Sequence, residues 1–312
     1  MARLAQLPGE LKSRFRALPR WVRVLSYVAG GLAALGFLAV FAAWLIFARG
    51  LPDAAQLAEY EPPLPSHVRA VDGTPFTSFA RERRIFLDYE QTPKQLVGAF
   101  VSAEDKTFFT HPGIDLPGIF QAAITNFKAM GTGKRPVGAS TITQQVAKNL
   151  LLTNEVSYVR KVKEIFLARR IEQALTKPEI IELYLNQIFL GRSAYGVQAA
   201  SFAYFNKPVD ELSLAQTAFL AVLPKAPANS NPSTETGRAR ALARRNWVLG
   251  QMAENGYVTR AAARAAAAEP IVVVNRAEIP RDRTGDYFIE DIRRELVEKY
   301  GEEGEHGIYT GG

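Results

Sequence analysis

Residues Val24 to Ala48 run 25 residues without a charge, bounded by Arg23 and Arg49. A bilayer core needs about 20 apolar residues, so the pattern predicts one transmembrane helix over 24–48. The run exceeds the roughly 7–15 residues of a cleaved signal peptide's apolar region. Arg3, Lys12, Arg14, Arg16, Arg20 and Arg23 precede it, whereas Asp53, Glu59 and Glu61 follow. That asymmetry predicts a basic cytoplasmic tail over 1–23 and everything after the helix outside. Trp21 and Trp44 lie near the two ends, where interfacial aromatics belong.

Past the apolar run, a Pro- and Ala-rich stretch over 51–65 reads as a stalk. Residues 67–89 read as a β hairpin, with Asp72-Gly73 as the turn and Ile85-Phe86-Leu87 as a second short strand. Helical spacing then begins. Leu96, Ala99, Phe100 and Ala103 fall at i, i+3, i+4 and i+7, predicting a helix over 91–103 that buries one face and leaves Glu104 near its end. Asp115 suits an N-cap with Pro117 in the first turn of a helix to Lys128. Three glycines over 129–138 predict a loop. Thr141 and Gln144 form a capping box opening a helix that carries Gln144 and Lys148 on one face, with Gln145 and Asn149 beside them.

Ser157 suits the cap of a further helix on which Arg160 and Glu164 are i, i+4 neighbours. Thr176 with Glu179 opens a helix through Leu190 that stops at Gly191, and Ser213 with Gln216 opens another. Helices over 235–254 and 259–268 are separated by Gly256, and a last one spans Tyr287 to Tyr300. No internal repeat is present. Between 91 and 268 the chain reads as a mainly α domain.

Composition narrows the chemistry. The chain has 312 residues and a net charge of +7, room for one or two domains with anionic partners. Nucleic acid, acidic lipid and phosphorylated substrates all fit that charge. The absence of cysteine excludes disulfides, thiolate chemistry and Cys-based zinc sites. With only His67, His111 and His306, any metal would be a hard cation on oxygen ligands.

Candidate chemistry concentrates over 104–164. Glu104-Asp105 opens the stretch, followed by His111 and Asp115, then Gly138-Ala139-Ser140-Thr141-Ile142-Thr143-Gln144-Gln145 with Lys148 and Asn149. Arg160-Lys161 and Glu164 close it. Two acids with hydroxyls, amides and cations between them suit a site for sugars and phosphates. Read alone, Glu104 is an ordinary solvated acid. The Arg160–Glu164 pair alone is a helix-surface ion pair worth about 0.2–0.5 kcal/mol.

Two further stretches change that reading. One is Lys177, Glu179-Ile180-Ile181-Glu182-Leu183-Tyr184-Leu185-Asn186, Gly191 and Tyr195-Gly196. The other is Ala218-Phe219-Leu220-Ala221, Leu223-Pro224-Lys225-Ala226-Pro227 and Asn231-Pro232. With the three groups of the 104–164 stretch they make five ordered motifs, in which the chain resembles the peptidoglycan glycosyltransferase family. That domain occurs in class A penicillin-binding proteins and in shorter monofunctional enzymes, and the likeness covers about 60–300.

The resemblance implies a lysozyme-like helical fold with a membrane-associated hydrophobic lobe near 129–138. It divides the chain into a basic tail (1–23), transmembrane helix (24–48), stalk and hairpin (49–90), glycosyltransferase domain (91–250) and linker (251–312). The implied reaction polymerises lipid II into β-1,4 glycan strands with inversion, releasing undecaprenyl diphosphate. Glu104 matches the general base, and Glu164 the second carboxylate. Lys148, Arg160 and Lys161 match the cations on the diphosphate side. Asp105, His111, Gln144 and Gln145 join the substrate-binding set, and Ser140 and Thr141 suit either a helix cap or a substrate contact. Glu182, Tyr184 and Asn186 are implied supports. A divalent cation, Mg or Mn, is an implied cofactor, with Glu164 its candidate ligand.

Implied partners are lipid II, the nascent strand, membrane lipids and other cell-wall synthesis proteins, with no nucleic acid. The implied location is the cytoplasmic membrane, single-pass, with the catalytic domain periplasmic or extracellular. The chain departs from the family at Gln121 and Val156, where a cation is frequent, and at Gln216 and Val222. No Ser-x-x-Lys or Lys-Thr-Gly occurs, so these residues read as the N-terminal part of a bifunctional protein whose transpeptidase lies elsewhere. Two other classes fit less of the pattern. A lytic muramidase would also use paired carboxylates, and a non-catalytic cell-wall scaffold would need neither.

Overall fold

The computed structural model describes residues 19–47, 51, 66–69, 71–73, 75–79, 85–131, 138–152, 158–225, 227–230, 232, 234–274, 286–302 and 308–309. The basic tail over 1–18, most of the stalk, the 132–137 loop and the expected cap at Ser157 lie outside them, as does Val156.

Helix α1 (Arg20–Phe47) covers most of the apolar run. It is the one described helix long and apolar enough to cross a membrane, and none of its apolar window is buried. Strands β1 (Ser66–Arg69) and β2 (Pro75–Phe79) pair antiparallel around Asp72-Gly73. Ile85-Phe86-Leu87 is not a strand, contrary to the hairpin reading. Its backbone is held by a side chain: Leu87 N–H donates to Asn186 Oδ1 at 2.9 Å, and Asn186 Nδ2 donates to Leu87 O at 2.9 Å.

The domain is built around α2 (Lys94–Glu104). All eight residues from Leu96 to Ala103 are buried, so the helix has no solvent face along that length. Its apolar periodicity understated this, because Gly98 and Ser102 on the other side are small enough to be covered too. A Cβ on Gly98 would lie 2.5 Å from the Tyr257 ring, and Asn255 Nδ2 donates to Ser102 Oγ at 3.0 Å. A 3-10 turn over Tyr89–Gln91 precedes α2. Around it pack α8 (Leu214–Leu220) and α9 (Glu235–Glu254), the latter also against α10 (Arg260–Ala268). Their shared core includes Phe100, Phe219, Val248 and Met252.

Helix α3 (Leu116–Lys128) begins as expected, with Asp115 Oδ1 accepting from Gly118 N–H at 2.9 Å. It buries none of its residues. Helix α4 (Ile142–Val146) carries the expected Thr141–Gln144 capping box but runs on into a π turn over Ala147–Leu151. Helix α5 (Tyr158–Ala174) lies against α4 and α1, and α6 (Lys177–Gln187) against α4. The α6 helix ends at Gln187, three residues short of Leu190, because Ile188 turns extended. Gly191 sits instead at φ +84° in the following turn, closed by a Phe189–Tyr195 bridge. Helix α7 (Val197–Phe205) follows, and α11 (Asp286–Tyr300) is last. The molecule is mainly α with a short β hairpin, as expected.

Candidate active site

The buried helix α2 ends with Glu104 at the wall of a cleft. The cleft, about 420 Å³, is lined by Glu104, Ser140, Gln144, Gln145, Lys148, Arg160, Lys161, Glu164 and Lys225, with Gly138 and Pro224. A smaller pocket of about 240 Å³ shares Glu104, Gly138 and Ser140 with it and adds Asp105, Asp115, Gln121 and Thr141. Residues from four helices and two connecting segments thus meet in one place.

Two ends of the cleft differ in chemistry. At one, Gln145 Nε2 donates to Glu104 Oε2 at 3.1 Å. Burial pushes the Glu104 carboxyl above the ordinary carboxylate range; the Asp105 charge adds to this, while Lys225, the Gln145 hydrogen bond and Arg244 oppose it. At the other end, Glu164 is only 3% exposed and both its oxygens face cations. Arg160 Nη1 lies 3.4 Å from Oε1 and Lys161 Nζ 2.7 Å from Oε2. Lys161 Nζ also donates to Ser140 Oγ at 2.8 Å. Lys148, in the π turn, is exposed to the same space.

Other expected residues mainly hold the cleft's walls together, although Gln144 lines it and Asp105 and Thr141 line the adjoining pocket. Asp105 accepts from Ile142 N–H at 2.9 Å, and its two oxygens lie 2.9 and 3.0 Å from His111 Nε2. His111 Nδ1 accepts from Gly113 N–H at 3.1 Å, which puts the ring proton on Nε2 facing Asp105. Thr141 Oγ1 donates to Gly113 O at 2.7 Å and caps α4. Gln144 closes the same capping box from a buried position. Glu182 Oε2 accepts from Tyr89 N–H at 2.6 Å, and burial pushes its carboxyl upward. Tyr184 is 1% exposed, packs edge-on to Phe100, and burial together with Glu104 raises its phenol well above the ordinary value.

Two cations that bear on Glu104 were not among the expected site residues. Lys225 lies inside the fifth motif, which was a signal for it. Arg244 lies on α9, far along the chain, and nothing local marks it.

Among the described residues, no three His, Cys, Asp or Glu side chains group as a metal site would need. Glu164, the candidate ligand, already has a cation at each oxygen. This donor set fits an anion and does not fit a resident divalent ion.

A family model described as transglycosylase matches residues 72–253. The chain belongs to this family, and its enzyme class is that of a peptidoglycan glycosyltransferase. Its relatives point to the class A penicillin-binding proteins. It is 47% identical over 266 residues to penicillin-binding protein 1A of Rickettsia felis, covering 85% of this chain and 33% of that one. For the Vibrio cholerae protein of the same name the identity is 43%, with 89% and 33% covered. For that of Escherichia coli it is 44%, with 83% and 30% covered. The chain spans about a third of the length of these relatives. A crystal structure of penicillin-binding protein 1A from Haemophilus influenzae is similar at 29% identity and a TM-score of 0.46, over 81% of this chain and 26% of that one.

Proposed function

We propose that this chain joins the sugar units of lipid II into β-1,4 glycan strands. Glu104 acts as general base on the acceptor hydroxyl. The observation that carries this reading is one cleft with the Glu104 carboxylate, held by Gln145, at one end and a cation cluster at the other. As the base takes the proton, the acceptor oxygen bonds to the donor's anomeric carbon while the bond from that carbon to the phosphate oxygen breaks. Attack from the face opposite the leaving group inverts the α linkage to β.

The departing diphosphate needs positive charge where its own charge develops. Lys148, Arg160 and Lys161 supply it, with Glu164 holding Arg160 and Lys161 in place. Gln121 adds no charge on the Asp115 side of the cleft, where Lys106 is a lining cation; the three clamp residues lie on α5 and the π turn after α4. A divalent cation would travel with the diphosphate of the substrate rather than sit on a protein site.

Membrane attachment follows the same logic. Helix α1 is the anchor, and α3 exposes Leu116, Phe120 and Phe127 at 70%, 68% and 75%, an apolar face suited to the lipid boundary where the substrate's tail lies. The glycosyltransferase domain spans 91–250 in this reading, with 251–312 leading toward a transpeptidase of the full-length protein.

A lytic muramidase is the alternative, since paired carboxylates also cleave glycans. The cation cluster speaks against it, because hydrolysis releases no diphosphate. Incubating the full chain in detergent micelles with purified lipid II tests the choice: glycan polymer and free undecaprenyl diphosphate are expected. Soluble fragments released from intact peptidoglycan, without elongation, would overturn the reading in favour of hydrolysis.

A further inference from the structure

Helix α9 passes behind the C-terminal end of α2, and Arg244 is the side chain it presents there. The Arg244 guanidinium is part-buried and stacks on Trp247 one turn along, 3.7 Å from the ring centre. Its Nη2 donates to Ala103 O at 3.3 Å. Ala103 O is one of the last four carbonyls of α2, which a helix cannot bond internally and which carry its partial negative charge. The next residue is Glu104.

We propose that Arg244 is a positioning residue for Glu104: it clamps the end of α2 and holds a positive charge behind the carboxylate that faces the cleft. This inference rests on the reading of Glu104 as the base.

Other groups also face Glu104. Asp105 is beside it, Tyr184 comes from α6, Gln145 from α4 and Lys225 from the 3-10 turn over Leu223–Lys225. Across the cleft lie Lys148, Arg160, Lys161 and Glu164. Lys225 is exposed, so solvent and salt screen its charge. Arg244 is held at two points, a ring face and a backbone carbonyl. The guanidinium fork makes both contacts at once, which an ammonium cannot. Burial pushes the Glu104 carboxyl up; Lys225 opposes it most, then the Gln145 hydrogen bond, then Arg244.

The test is a set of pH–rate profiles for lipid II polymerisation by the full chain in micelles. Wild type, Arg244→Gln, Arg244→Lys, Trp247→Leu and Glu104→Gln are compared. For Arg244→Gln the acidic limb should move to higher pH. Its rate should fall about ten-fold near about pH 6, with the deficit shrinking below about three-fold near about pH 8.5. Arg244→Lys, which keeps the charge, should return the limb most of the way. Trp247→Leu, which removes the stack and keeps the cation, should move it the same way but less.

An acidic limb unmoved in Arg244→Gln overturns the proposal, as does an equal loss for Gln and Lys at every pH, the mark of a merely structural role. If Arg244→Gln does not fold, an unmoved limb in Trp247→Leu has the same force. Glu104→Gln separates the two claims: if it stays active, the base assignment fails; if it is dead while the Arg244→Gln limb is unmoved, only the Arg244 inference fails.

Discussion

At Asp105 one buried carboxylate ties three segments together. It takes the Ile142 N–H at the start of α4 and faces the Nε2 of His111, whose ring in turn takes the Gly113 N–H. Asp105→Ala would leave two buried donors without their acceptor, at about 1–3 kcal/mol each. Chemical denaturation should show a loss of about 2–6 kcal/mol, with activity lost through misplacement of Glu104. Glu104 itself should titrate above an exposed carboxylate. A base works only when ionised, so activity should fall as pH drops through that raised value; an acidic limb at the pH of a free Glu would contradict it. At this scale the sequence was most legible where motif and chemistry coincide, as at Glu104, Gln145 and Glu164. Arg244 was illegible because a helix-borne arginine has no local pattern that tells a solvated charge from one folded toward a carboxylate at a cleft wall.

Helix α2 behaves as an axle through the core, and its tolerance is lowest where neighbours approach closest. Gly98→Ala would drive a methyl into the base of the Tyr257 ring, from which the chain turns into α10. Overpacking of that kind costs about 1–3 kcal/mol, measurable as a lowered melting temperature. Capping chemistry made α3, α4, α6 and α8 readable, since Asp115, Thr141, Thr176 and Ser213 each accept from a backbone N–H three residues on. Helix α7 escaped notice for the opposite reason. Its N-cap is Gly196 at φ +82°, without a side-chain cap, and it is apolar nearly all round, so neither start signal nor period marks it. Ile85-Phe86-Leu87 has a strand's composition, but its backbone partners are the amide of Asn186, a hundred residues away in effect.

On the scale of the molecule, an apolar helix at one end, an exposed apolar face on α3 and a cationic cleft suit a substrate with a lipid tail and a charged head. Phe120 and Phe127 touch no core, so replacing both with Ser should leave the melting temperature unchanged. If α3 meets the lipid boundary, the full chain with Phe120→Ser and Phe127→Ser should show a KM for lipid II raised about ten-fold at nearly constant kcat. Unchanged KM would remove α3 from membrane contact. The long apolar helix and the domain's helical character were plain in the sequence, because length and periodicity suffice for both. The meeting of α2, α4 and α5 at one cleft came only through the motif resemblance, and the part of the 3-10 turn in it was not plain, since it depends on packing between segments far apart in the chain. The most direct measurement of the account is single-turnover polymerisation of lipid II by wild type and Glu104→Gln at saturating substrate. A fall of about a hundred- to ten-thousand-fold in rate with substrate binding retained is the predicted result; turnover within about two-fold of wild type would contradict it.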